Sequence, residues 1–153
     1  MDFRFEQTLD VPRDRLFGFF EDPANLALLM RRWPGFCLLG HDGCVRVGRV
    51  TRFEARWGPL QVVMFFRNIA YEPPRRFVDE LAHGPFRRFR HTHLFLARGE
   101  STVVRDDLDV ELPWQFGGSF VTRRFVAAHL RRLFAYRHRE LSRLLCRPQP
   151  ISS

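Results

Sequence analysis

From its second residue onward the chain alternates. Phe3, Phe5, Gln7 and Leu9 fall on one side, and Arg4, Glu6 and Thr8 on the other. A period of two predicts a strand with one buried face. The period then changes. Leu16, Phe17, Phe19 and Phe20 predict a helix over 13–21, with Pro12 suited to its first turn. Asp22-Pro23 pairs an N-cap with a proline at the first helical position, so a second short helix is expected over 24–31, ending near Pro34-Gly35. Turn signals follow at Asp42-Gly43, Gly58-Pro59, Glu72-Pro73-Pro74, Gly84-Pro85 and Gly99-Glu100. They leave strands near 36–41, 44–57, 60–71, 75–83, 86–98 and 101–112. Such short links imply an antiparallel meander. Pro113 and Gly117-Gly118 separate it from a long helix over 119–146. At ~3.3 Å per strand residue and ~1.5 Å per helical residue, the longest strands and this helix both reach about 40 Å. The expected architecture is α+β, a seven-stranded curved antiparallel sheet crossed by one long C-terminal helix.

The turns also predict register. With a two-residue loop at Gly99-Glu100, Arg90 faces Asp109 and Arg88 faces Glu111, which places opposite charges on one face. The other face then pairs Phe89 with Val110, His91 with Leu108, His93 with Asp106 and Phe95 with Val104. A two-residue loop at Gly58-Pro59 puts Thr51, Phe53 and Ala55 opposite Phe66, Met64 and Val62. The sheet should therefore have a Phe-rich inner face and an Arg/acid outer face. Asp79 stays open. A two-residue loop at Gly84-Pro85 turns it outward against Arg90, and one extra residue turns it inward beside His91.

Composition narrows the class. The chain has 153 residues, 45% of them hydrophobic, enough for one domain with a full core; we assign it to 1–147, with 148–153 as a loose tail. No apolar run approaches the ~18 residues of a membrane span, and strand-like alternation begins at once without a secretory signal, so a cytoplasmic location is expected. Cys37, Cys44 and Cys146 form no CxxC pair, which argues against a disulfide framework or a zinc site. Every basic residue is Arg, which removes Schiff-base and Walker lysine chemistry. The net charge is +8 and is concentrated near the C-terminus. Between Gln115 and Arg147 stand eight arginines and one acid, Glu140.

Several local motifs occur in a familiar order. They are Val11-Pro12 before a Phe-rich helix, Asp22-Pro23-Ala24-Asn25-Leu26, Pro74-Arg75-Arg76-Phe77-Val78-Asp79, and Gly84-Pro85 running into Phe89-Arg90-His91-Thr92-His93-Leu94-Phe95. Asp106, Pro113 and Phe134-Ala135-Tyr136-Arg137 complete the set. Together they resemble the START/Bet v1-like (SRPBCC) superfamily, especially bacterial polyketide cyclase/dehydratase-like and coenzyme Q-binding-like members. The resemblance covers nearly the whole chain. It implies a helix-grip fold, in which sheet and long helix enclose a cavity for an apolar ligand. The family pattern is departed from at Phe89, where Trp is common, and at Met30-Arg31-Arg32-Trp33.

Candidate chemistry is concentrated on the inner face. His91 and His93 share it, and Asp106 opposite His93 is expected to be that imidazole's partner, fixing its tautomer and favouring its charge. Such a group serves equally as a satisfied polar pair, a polar contact for ligand, an acid/base site or a metal chelate. A cupin-like reading fails because the next Glu is Glu100. Phe53, Met64, Phe66, Phe89, Phe95 and Leu108 are the candidate apolar lining. Arg137, at helical spacing with Val126, Leu130, Leu133, Phe134 and Leu141, is either a helix-edge salt bridge or a cap that grips an anionic or carbonyl group. The basic helix face carries Arg123, Arg124, Arg131, Arg132, Arg139, Arg143 and Arg147. It suggests weak contact with anionic membrane or RNA, although no aromatic platform for bases is evident there. No GxSxG, HExxH, GxGxxG or P-loop occurs, and no cofactor, metal or catalytic residue is assigned. The expected function is non-catalytic binding or carriage of a small apolar molecule such as a lipid, quinone or polyketide-like aromatic. The rival reading is a cyclase/dehydratase using the same cavity. Oligomeric state, including a homodimer, is not specified by the sequence.

Overall fold

The computed structural model describes residues 1–117 and 120–146. The element order is β1 (Asp2–Leu9), α1 (Arg13–Glu21), α2 (Pro23–Leu29), β2 (Cys37–His41), β3 (Val50–Trp57), β4 (Leu60–Glu72), β5 (Arg76–His83), β6 (Arg88–Arg98), β7 (Ser101–Glu111), a short α3 (Trp114–Gly117) and the long α4 (Phe120–Leu145). All seven strands form one antiparallel sheet in the order β1-β7-β6-β5-β4-β3-β2. β1 closes against β7 because Leu9 and Val11 must be buried, and Thr102 Oγ1 donates to the Val11 carbonyl at 2.7 Å inside that seam. α4 lies across the concave face. Its edge is tied to β1 by the Gln7 amide, which donates to the His138 carbonyl at 2.7 Å and the Ser142 hydroxyl at 2.9 Å.

Both predicted hairpin registers hold at every pair named, from Arg88↔Glu111 to Phe95↔Val104 and from Thr51↔Phe66 to Ala55↔Val62. On the outer face charges meet directly across the ladder at Arg90–Glu80 and Arg4–Asp107 and diagonally at Arg88–Asp109. Arg88 pairs with Asp109, Arg90 with Glu80 at 2.7 Å, Arg87 with Glu111 at 3.1 Å and Arg4 with Asp107 at 2.7 Å. The long Arg88 side chain leans along the strand to reach its diagonal neighbour.

Two expectations need correction. The strand expected over 44–57 begins only at Val50. Val45 is instead pinned to the end of α1, its N–H donating to the Glu21 carbonyl at 2.9 Å, and Gly48 takes a φ of +91° that an extended strand cannot use. The segment after Pro113 is not a plain linker either, since α3 occupies part of it. The tail predicted over 148–153, and Arg147, lie outside the described residues.

α2 starts where the sequence places its cap: the Asp22 carboxylate accepts the Ala24 N–H at 2.9 Å, with Pro23 in the first turn. Asp22→Ala is expected to lower the unfolding free energy by about 1 kcal/mol, read as a shift in urea midpoint at constant slope. The apolar side chains divide into two clusters. One, around Leu16, Phe17, Phe77 and Phe95, sits under α1 and α2. The other, around Trp57, Met64, Phe89, Leu108, Leu130 and Phe134, sits under α4.

Candidate functional site

Between α2, α4 and the inner face of the sheet lies a cavity of about 170 Å³. Phe53, Met64, Phe66, Phe89 and Leu108 line it from the sheet, and Leu130, Leu133 and Phe134 from α4. Its scale exceeds the ~150 Å³ apolar void that takes up benzene. Two of the ten candidate residues do not line it. Phe95 packs into the other cluster, with ring centroids 5.1 Å from Phe17 and 5.3 Å from Phe20. Asp106 stands behind the histidines as their support.

The polar groups converge at one end. His91 and His93 both face the cavity, as residues two apart on β6 must, and their ring centroids lie 3.7 Å apart. His91 Nε2 donates to Asp106 Oδ1 at 2.8 Å. His93 Nε2 donates to Asp79 Oδ2 at 3.0 Å, while its Nδ1 lies 3.3 Å from Asp106 without making a hydrogen bond. Asp106 thus serves both imidazoles: it accepts the hydrogen bond of His91 and stays within ion-pair range of His93, the residue directly across the ladder, as expected. Asp79 points inward, paired with His91 in the ladder and hydrogen-bonded to Asn68. The β5–β6 ladder pairs Glu80 with Arg90 and Asp79 with His91, one residue beyond the register of a two-residue loop at Gly84-Pro85, and this sets the inward phase.

Electrostatics separate the two imidazoles. Burial, reinforced by the charge on His93, pushes His91 down to about 4. Burial acts on His93 in the same direction, but the Asp106 and Asp79 carboxylates outweigh it and hold His93 above its ordinary value. Asp106 is held well below the carboxylate range: burial opposes this, and the two histidines overcome it. The neutral His91 resists protonation in the fold more than in the unfolded chain, whose histidine takes up its proton near 6.5. Its contribution is thus fully present above pH 6.5 and is lost as the pH falls toward 4. Stability is expected to drop by on the order of 3 kcal/mol over that window. His93 has the opposite sign, its contribution fading as the pH rises through its raised value. Urea midpoints between pH 7 and pH 4 check this, and His91→Gln should flatten the acid limb.

Arg137 completes this end. It is 9% exposed, lines the cavity and stacks over the Phe134 ring with its guanidinium carbon 5.0 Å from the centroid. The helix-edge salt bridge is not formed: among the described residues no carboxylate lies within ion-pair distance and no hydrogen-bond acceptor is engaged. Burial lowers its pKa, partly offset by Asp106 and Asp79 farther off.

Sequence reasoning did not find Trp33, Trp57, His129 and Asn68, which also line the cavity. Trp57 stacks on His129 at 4.1 Å, and Trp33 meets His129 edge-on at 5.9 Å. Tyr136 ties Trp33's loop to α4 by donating to the Leu29 carbonyl at 2.9 Å and accepting the Arg32 N–H at 3.1 Å. Asn68 was legible, since it continues the inward phase of Met64 and Phe66. His91, His93 and Asp106 are also the one group among the described residues whose donor atoms, within 4.8 Å of one another, suit a metal ion. Arg137 on the same wall works against a cation there. Among the described residues, no helix is long and apolar enough to cross a membrane.

No family model matches the chain. No curated protein matches it either. Solved structures do. A protein of Thermus thermophilus superposes with a TM-score of 0.72 at 18% identity, covering 95% of this chain and 99% of its own. A START superfamily protein from Mycobacterium smegmatis gives 0.71 at 16%, covering 94% and 98%. A major latex-like protein from Panax ginseng gives 0.60 at 13%, covering 90% and 97%. At these identities the likeness concerns the fold alone: the seven-stranded antiparallel sheet gripping α4 is the helix-grip fold that these structures share.

Proposed function

We propose that the protein binds and carries a small apolar molecule bearing one acidic or carbonyl head. The observation that carries this reading is the Arg137 guanidinium: buried, without an ion-pair partner among the described residues, and facing a mostly apolar cavity whose polar end also holds His91, His93, Asp79 and Asn68. A buried cation without a partner is costly to the fold, and a ligand anion would supply the missing charge. The Phe, Met and Leu walls would take the apolar body, a lipid chain or an aromatic ring system, while Arg137 and the imidazoles orient the head.

Native mass spectrometry of the purified protein tests this first, with an acidic lipid or aromatic of defined mass expected in the complex. Calorimetry with octanoate and 1-octanol tests the head directly. Octanoate should bind more tightly, and equal affinity would remove Arg137 from ligand recognition. The enzyme reading draws on the two imidazoles, a neutral one beside a charge-favouring one, an arrangement that acid/base catalysis uses. Recovery of the native ligand unchanged after prolonged incubation with the protein argues for carriage, and its conversion to a cyclised or dehydrated product argues for catalysis.

A further inference from the structure

One end of the molecule exposes apolar side chains that the fold does not need. Trp114 on α3 is 82% exposed, Phe120 and Val121 at the start of α4 are 70% and 75%, and Leu60 at the β3–β4 turn is 63%. The elements that carry them pack together. α3 packs on α4, and the Phe125 ring lies 2.8 Å from where a Cβ on Gly58 would stand, which brings the turn carrying Leu60 against α4. Scattered exposed hydrophobics are ordinary, but a contiguous group of this kind marks an interaction surface. The group is continued along α4 by arginines. Arg123, Arg124, Arg131 and Arg132 are exposed, none has an ion-pair partner among the described residues, and the Arg124 guanidinium sits over the Phe120 ring at 5.5 Å. The outer side of α4 is thus not purely basic, as its charge pattern suggested, but aromatic at its N-terminal end.

We propose that this end docks on the surface of an anionic lipid bilayer. Trp114, Phe120, Val121 and Leu60 enter the headgroup boundary, and the arginines meet the anionic headgroups. Large apolar side chains and flanking cations are how interfacial elements hold to a membrane surface. The positive charge argues against a second copy, because a two-fold contact would set the same arginines against each other. Val121 and Leu60 argue against RNA, since aliphatic tips give nothing to phosphates or base stacking. The proposal does not depend on the identity of the cavity ligand. It does place the docking end beside the cavity, because Phe125 lies 6.3 Å from His129, which lines the wall.

Sedimentation with vesicles of phosphatidylcholine alone, and of phosphatidylcholine mixed with phosphatidylglycerol, tests it. The protein should partition onto the mixed vesicles and not onto the neutral ones. Trp114→Ser with Phe120→Ser should weaken partitioning at least about tenfold with an unchanged melting temperature, since both side chains are already in solvent. Arg124→Gln with Arg131→Gln should weaken it about 25-fold, roughly fivefold per charge. Failure to sediment with the mixed vesicles overturns the proposal, and so does partitioning that the serine pair leaves intact. Dimerisation abolished by the serine pair reassigns the face to a second copy. Retention of single-stranded RNA, lost in the same pair and without vesicle binding, reassigns it to nucleic acid.

Discussion

Asp106→Ala is expected to lower the unfolding free energy by about 3–5 kcal/mol at pH 7, the range seen when one partner of a buried charge pair is removed. Asp106 is 3% exposed, accepts the His91 Nε2–H at 2.8 Å and lies 3.3 Å from His93 Nδ1. Without it His91 keeps a buried donor with no acceptor, and His93 loses one of the two carboxylates that favour its charge. Asp79→Ala should cost less, about 1–2 kcal/mol, because its side chain is 20% exposed and water can take its place. His91→Phe is expected to destabilise as well, since it strips Asp106 of its hydrogen bond from His91. Urea titrations of the three variants decide the order. An Asp106→Ala protein within about 1 kcal/mol of the parent would mean that this carboxylate is solvated or uncharged in the fold.

The register of β6 against β7 was legible because a two-residue turn leaves one solution that sets Arg88 against Glu111 and Arg90 against Asp109 on one face and Phe89 against Val110 and Phe95 against Val104 on the other. The same argument failed to place Asp79. Its phase depends on the length of the connection over 84–87, and Gly84-Pro85 is compatible with either length. The start of β3 was misread for a related reason. Val45, Val47 and Val50 look like a strand in sequence, and the hydrogen bond from Val45 to the Glu21 carbonyl, twenty-four residues back, together with the Gly48 turn, keeps the segment out of the strand. Trp33, Trp57 and His129 meet only in three dimensions, from a loop, a strand and a helix, so no spacing announced them. Register also fixes which Cα atoms face each other, not which side-chain atoms touch. That is why the His91 hydrogen bond to Asp106, diagonal to the ladder, was not expected beside the His93 pairing that register did give.

Arg137→Met is expected to weaken octanoate binding about 100-fold or more while leaving 1-octanol within a factor of about three. Removing one member of a desolvated charge pair costs about 2–5 kcal/mol, and a neutral alcohol forms no such pair. Methionine keeps the apolar stem against Phe134, so the comparison isolates the guanidinium. The empty protein should not lose melting temperature. In the fold without ligand, Arg137 carries a buried charge without a hydrogen bond or ion pair among the described residues, and burial already disfavours its protonated form. An arginine that stabilised the fold through distant attraction to Asp106 and Asp79 would give the opposite result: a lower melting temperature, and octanoate and octanol weakened alike. The two measurements therefore separate a cation kept to meet a ligand from one kept to balance carboxylates. The ligand reading requires that adding octanoate raise the melting temperature of the parent and not of the variant, because only a state that binds is stabilised by mass action.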